Sequence, residues 1–347
     1  MVAPPVTPVN RARPTPFYTP NGKNADVFHD ARSYNYGNRG ESPDETQREM
    51  TPKLRRAALL AGAAFLFLDT ASAWAWGPAT HVHLATRLLG DVGWLPASLA
   101  ALLGRHAWSY LYGNIAADVV FAKRWSRVKQ ICHQWTTGFR LLDRATTDQD
   151  RAFSLGYLSH LAADTVAHGK YVPRQLAVTR STMNFGHLYW EMRADHVIPA
   201  TAFRGLRELE QHDFSTHHRQ LADILTQTFL PHGMNVRVFR RINHLVAARS
   251  WQRSIRLWGR HSRWSLSVGL LRMYHDESLA RMLSVMVEQH RSSVLHEDPN
   301  GTSALLHVRH NRRHLRRLRR NGLPLTHVLH EAAATYAPDP RYRIAPA

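Results

Sequence analysis

A single cysteine, Cys132, stands in 347 residues, so no intrachain disulfide can form. Lysine is almost as scarce, 5 against 40 arginines, and the 26 acidic residues leave a formal net charge of +19. That imbalance reads as compositional bias of the proteome as much as selection for guanidinium groups. There is no phosphate-cradling glycine-rich loop and no dinucleotide fingerprint, which removes the common nucleotide-dependent enzyme classes. Gly156-Tyr157-Leu158-Ser159 lacks the strand–turn–helix setting of a nucleophile elbow. Cys132 beside His133 is not by itself a cysteine-hydrolase signature, because the base must be close in space. Apolar runs are short. The run Ala57 to Leu68 is too short to read as a membrane span.

Helical periodicity is what the chain does have. It recurs over 98–104, 114–123, 151–170, 186–197, 220–229, 237–258, 266–294 and 304–320, with prolines 96, 173, 199, 231, 299 and 324 between segments. Strand signals are poor. The expected fold is all-α, a multi-helix bundle. Residues 1–49 are rich in Pro, Asn, Arg and Gly and read as a disordered extension, expected to lie upstream of a true start at Met50. Residues 76–200 read as the core, and 201–347 as a basic helical region, part of the same domain or appended to it. Trp251, Trp258 and Trp264 read as core residues rather than a base-stacking platform.

The chemistry concentrates in Leu158-Ser159-His160-Leu161-Ala162-Ala163-Asp164-Thr165-Val166-Ala167-His168. At 3.6 residues per turn, His160, Asp164 and His168 form one stripe on a largely apolar helix. Buried polar groups need partners, and two imidazoles with a carboxylate form a natural zinc set. His187 and Glu191 repeat the four-residue spacing on a second helix. Two such helices face to face inside a bundle would make a polynuclear metal site. Upstream lie Trp76-Gly77-Pro78-Ala79-Thr80-His81-Val82-His83, then Asp118 in an apolar stretch, then His133.

This order, Trp…His…Asp…His…His-x3-Asp-x3-His…His-x3-Glu, resembles the zinc-dependent phospholipase C family and its wider superfamily with three-zinc single-strand nucleases. The resemblance covers about residues 76–200. It implies that Trp76, as a mature N-terminus, binds a zinc through its amine and carbonyl. It implies His81 as the first histidine ligand, with His83 as the alternative, then Asp118, His133, His160, Asp164, His168, His187 and Glu191. Asp164 stands at the position that bridges two metals. His168 falls two residues closer to that aspartate than in the best-known members. The implied grouping gives His133, His160, Asp118 and Asp164 to one ion, Trp76, His81 and Asp164 to a second, and His168, His187 and Glu191 to a third. Two to three Zn²⁺ are expected, with Asp118 also positioning the attacking water or acting as base. Glu191 favours the phospholipase branch, and the short interval from Trp76 to His81 favours the nucleases.

A terminal Trp76 requires processing, and the residues before it fit. Lys53-Leu54-Arg55-Arg56 is a positive n-region, the apolar run follows, and Ala73-Trp74-Ala75 fits the small-x-small cleavage rule. Residues 50–75 are therefore expected to be a signal peptide, and the protein exported, periplasmic or secreted; an uncleaved signal anchor in the inner membrane is the alternative. Residues 197–347 hold 23 arginines, no lysine and 11 acidic residues, densest over 307–320. That tract reads as a solvated helix face, or as a surface for anionic lipid or nucleic acid through phosphate contacts. The expected function is zinc-dependent hydrolysis of phosphate esters, of phospholipase C type on phospholipid. The alternatives are a single-strand nuclease acting on nucleic acid and a non-catalytic metal-binding protein. No protein partner is inferred.

Overall fold

From Ala152 to Val166 the chain is mostly apolar or small on every side, and a helix of that kind must be covered on every side. In the computed structural model, which describes residues 76–120, 131–179, 183–226, 228, 231–262 and 264–342, this segment is the axis of an all-α bundle. The helices are α1 (Pro78–Gly90), α2 (Ala97–Arg105), α3 (Ala107–Ala116), α4 (Trp135–Asp143), α5 (Asp148–Val166), α6 (Val172–Thr179), α7 (Met183–His196), α8 (Ala200–Leu209), α9 (Ser215–Ile224), α10 (His232–Ala247), α11 (Arg249–Arg260), α12 (Val268–Glu288), α13 (Thr302–Arg320) and α14 (Thr326–Thr335). No strand occurs among the described residues. The segments 1–49 and 50–75, read above as extension and signal peptide, lie outside the described residues.

A capping box starts α5: Asp150 N–H donates to Thr147 Oγ1 at 3.1 Å, and Thr147 N–H donates to the Asp150 carboxylate at 3.2 Å. Helices α3, α4 and α12 then cover its length. The α3–α5 crossing depends on two glycines. A Cβ on Gly156 would meet Tyr110 O and lie 3.0 Å from Gly113 Cα, and one on Gly113 would meet Phe153 O and lie 2.8 Å from Tyr157 N. With hydrogen in place of both side chains the backbones touch, and Asn114 O reaches His160.

Helix α12 brings charge to the same core. Glu277 is fully buried, and its Oε1 accepts from Lys170 Nζ at 2.5 Å and Arg281 Nη2 at 2.8 Å. Arg281 also donates to Thr165 Oγ1 at 2.7 Å and pairs with Glu297. Every buried charge in this knot has an opposite partner, which is the condition for burying it at all.

The fold departs from these expectations at several places; the helix expected over 220–229, for one, is α9 and ends at Ile224, and that expected over 266–294 is α12 and ends at Glu288. The segment 237–258 is two helices, α10 and α11, separated at Ala248, whose backbone is extended (φ −70°, ψ 133°). The Ala247 carbonyl exposed by the break accepts from Arg207 at 3.0 Å and Gln252 at 3.1 Å, so side chains replace the lost helical bond. Helix α3 ends at Ala116 in a 3₁₀ turn, Ala117–Val119, where β-branched Val119 and Val120 weaken propagation; 121–123 lie outside the described residues. Trp258, expected in the core, is 58 % exposed, while Trp251 and Trp264 are half-buried.

The α3–α5 contact gives a direct test. Gly156→Ala forces two backbones apart and is expected to cost about 2–3 kcal/mol in denaturant unfolding. Gly233→Ala, in helical α10 with no atom near its added methyl group, should be neutral or stabilising. Equal stability of the two variants would refute the glycine contact.

Candidate metal centre

The site is built around the C-terminal half of α5. His160 and Asp164 are both fully buried. His160 Nδ1–H donates to Asn114 O at 2.8 Å; a carbonyl can only accept, so Nδ1 holds the proton and Nε2 carries the lone pair. That Nε2 lies 3.2 Å from Asp164 Oδ2 and 3.2 Å from His133 Nε2. His133 sits on the 3₁₀ turn Ile131–His133, with its Nδ1 3.3 Å from Cys132 Sγ. The turn is held by Tyr157 O–H to Cys132 O, by Thr137 Oγ1 to Ile131 O at 2.6 Å and by Asn300 Nδ2 to His133 O at 3.0 Å. His133 Nε2 also lies 3.2 Å from Asp164 Oδ2 and 3.3 Å from Asp118 Oδ1.

Helix α1 supplies His81. Its N-terminus is fixed by Asp195, whose Oδ1 accepts from Thr80 N–H at 3.0 Å and Thr80 Oγ1 at 2.6 Å. The His81 ring stacks on His160, centroids 4.0 Å apart, and its Nε2 lies 3.2 Å from Asp164 Oδ1. That approach is off the hydrogen-bonding axis, and neither ring nitrogen of His81 makes a hydrogen bond. Asp164 therefore presents one oxygen to His81 and the other to His133 and His160. His83 turns instead toward His275, ring centroids 6.0 Å apart.

His168 lies where α5 widens into a π turn, Ala167–Tyr171. Its Nδ1–H donates to Pro299 O at 2.7 Å, which leaves the lone pair on Nε2. From α7, His187 and Glu191 face it, with His187 Nε2 3.0 Å from Glu191 Oε1 and the His168 and His187 rings edge to face at 5.3 Å. Three buried groups result, each with donor atoms within 4.8 Å of one another: His81, Asp118 and His160; His133, His160 and Asp164; His168, His187 and Glu191.

The electrostatics favour metal-ready protonation states. Burial, and after it the neighbouring His160 ring, hold His81 below the usual histidine range, and burial with His168 holds His187 well below it. Burial pushes the Asp164 carboxyl up, but His160, His133 and His81 outweigh it and hold the group well below the usual carboxylate range. Neutral imidazoles converging on an ionised carboxylate are what a divalent cation requires. Both ring nitrogens of His81, Nε2 of His187 and both oxygens of Asp164 are buried with no hydrogen-bond partner. The donor set and its unsatisfied buried nitrogens therefore fit Zn²⁺.

Trp76 enters as a packed side chain. It is fully buried, its indole N–H donates to Ser278 Oγ at 3.3 Å, and it stacks on Tyr171 at 4.8 Å. The role implied for its amine rests on cleavage after Ala75, which lies outside the described residues.

Sequence reasoning missed the groups that hold the ligands. Trp135 Nε1 donates to Glu297 O at 2.9 Å, Pro299 O takes His168, and Asn300 takes the His133 carbonyl, so the loop 297–301 grips both ends of the cluster. Gly301 is left-handed (φ 57°), and a Cβ there would strike His168 O and lie 2.7 Å from His168 Cβ. Asp298-Pro299-Asn300-Gly301 is legible as a turn, but nothing local says where it docks.

Comparison with known proteins gives one match. The family model described as zinc dependent phospholipase C matches residues 80–235, a span that contains His81, Asp118, His133, His160, Asp164, His168, His187 and Glu191. No curated protein and no solved structure matches the chain. Residues 80–235 are thus similar to the zinc-dependent phospholipase C family, and the all-α fold and the buried His/carboxylate groups inside that span agree with the match.

Proposed function

We propose that this protein is an exported phospholipase C that cleaves the glycerol-side phosphate ester of phosphatidylcholine or a related phospholipid, releasing diacylglycerol. The observation that carries the reading is the pair of Asp164 oxygens facing different histidines inside the span matched to the family. Asp164 would bridge two ions, one held with His133, His160 and Asp118, the other with His81 and the amine and carbonyl of a terminal Trp76. His168, His187 and Glu191 would hold a third. Bound Zn²⁺ supplies Lewis acidity toward phosphoryl oxygens and lowers the pKa of a bound water to about 7. Asp118, buried beside His133, orients the attacking water and takes its proton on the carboxylate. The carbonyls of Asn114 and Pro299 keep the His160 and His168 rings in one tautomer and one orientation.

Glu191 as the last ligand supports lipid over nucleic acid as substrate. Export follows from the signal-like segment and the small residues at Ala73 and Ala75, and N-terminal sequencing of exported protein should read Trp76 first. Among the described residues no helix is long and apolar enough to cross a membrane.

Asp164→Asn is expected to lose more zinc than any other single ligand change, because one carboxylate contributes charge to two ions. Metal analysis checks this, and unchanged zinc content in both Asp164→Asn and His160→Ala would refute the cluster. Gly301→Ala should drive the loop off His168 and lower zinc content by one ion before the others are touched; full occupancy in a folded variant would remove the loop from the site. Against a panel of phosphodiesters, lecithin should yield diacylglycerol, chelator should abolish it and added zinc restore it. Cleavage of single-stranded DNA with every phospholipid left intact would overturn the lipid reading in favour of a nuclease.

A further inference from the structure

Residues 224–275 contain nine arginines and no aspartate, glutamate or lysine. Within this run α11 places Arg249, Arg253, Arg256 and Arg260 at intervals of four, three and four, so their guanidinium groups share one helix face. All four are exposed. Ile255 turns inward and is 7 % exposed, but Leu257 and Trp258 are each 58 % exposed. A helix with a strongly cationic face, low overall hydrophobicity and uncovered Trp and Leu has the composition of an interfacial helix. Tryptophan suits that position because its ring is apolar and its N–H is not.

The position of α11 relative to the metal centre matters as much as its composition. It packs on α7, the helix of His187 and Glu191. Trp258 meets Tyr189 edge to face at 6.4 Å, and Arg193 donates to Tyr189 Oη at 2.6 Å. Tyr189 O–H in turn donates to Ser262 Oγ at 2.5 Å, just beyond α11. Trp258, on the side of α11 opposite the four arginines, is thus tied through Tyr189 to the helix that carries two candidate ligands. Helix α13 is also rich in arginine, but its exposed large apolar residue is Leu306 and it has no Trp, Tyr or Phe. Alone, α13 offers attraction that salt screens; α11 adds an apolar anchor that salt does not weaken.

We propose that α11 seats this protein on an anionic phospholipid surface, with Leu257 and Trp258 entering the boundary between headgroups and acyl chains and the four arginines meeting lipid phosphates. The charge of the whole 224–275 run is complementary to such a surface. The inference takes its biological sense from the lipid reading of the metal centre, yet its test needs no turnover.

The experiment is co-sedimentation of the full-length, zinc-loaded protein with phosphatidylcholine vesicles containing phosphatidylglycerol, at low and high salt. The Leu257→Ser/Trp258→Ser variant should bind roughly tenfold more weakly at both salt concentrations, because an apolar contact is lost. Arg253→Glu/Arg256→Glu should bind at least roughly tenfold more weakly at low salt and close to wild type at high salt. Hydrolysis of a short-chain, monomeric lecithin should be the same in all three proteins, since neither pair lies in the metal centre. Vesicle binding unchanged in both variants overturns the proposal. So does a loss confined to single-stranded DNA binding, which would make α11 a nucleic-acid surface. Vesicle binding that depends on α11 in a protein that leaves lecithin intact supports this surface and overturns the substrate reading instead.

Discussion

Asp164 carries negative charge where water cannot reach it, and much of the structure can be understood as the means of keeping it there. An ionised carboxylate taken from water loses several kcal/mol of solvation unless opposite charge or strong donors replace it. Its α5 neighbours cannot do so alone, because they are largely apolar. A bound divalent cation would supply the replacement, and three separate elements bring imidazole nitrogens to the same place to hold it: His160 on α5, His133 on the 3₁₀ turn and His81 on α1. Burial holds His81 toward neutrality, while the Asp164 carboxyl stays well below the usual carboxylate range.

Convergence of this kind demands close approach of backbones. Gly113 and Gly156 let α3 lie against α5, and the Asn114 carbonyl then fixes which nitrogen of His160 faces inward. The loop 297–301 does the same for His168 from the far end of the chain, while Asn300 restrains His133. This loop is anchored by Glu297 to Arg281, and Arg281 belongs to the buried knot with Glu277 and Thr165. Rigid supports of this sort matter for metal chemistry because ligand rings misplaced by a fraction of an ångström lose affinity and reactivity together. Helix α12 and the loop after it lie beyond the matched family span, so the C-terminal region helps to shape the candidate metal centre.

Much of this was legible in the residues. The four-residue spacing of His160, Asp164 and His168, and of His187 and Glu191, follows from helix geometry, and the all-α class follows from recurrent helical periodicity without strand signals. The π turn at His168 was not legible, since hydrogen-bond register depends on the packing around 167–171. Nor was the division of α10 from α11 at Ala248, where Arg207 and Gln252 replace a helical hydrogen bond. The exposure of Trp258 was misread because an amphipathic helix does not announce whether its apolar face meets protein or something else.

The sequence by itself determined which side chains can bind a metal and which of them share a helix face, because spacing along one helix is a local property of the backbone. Only the tertiary structure decided that Asp164 offers its two oxygens to different histidines, that His168 turns toward His187 and Glu191, and that Pro299 and Asn300 return to orient the ligands. Those relations join residues up to 167 positions apart. They are set by how helices pack and by which buried polar atoms must find partners, and neither is encoded in any short stretch of chain.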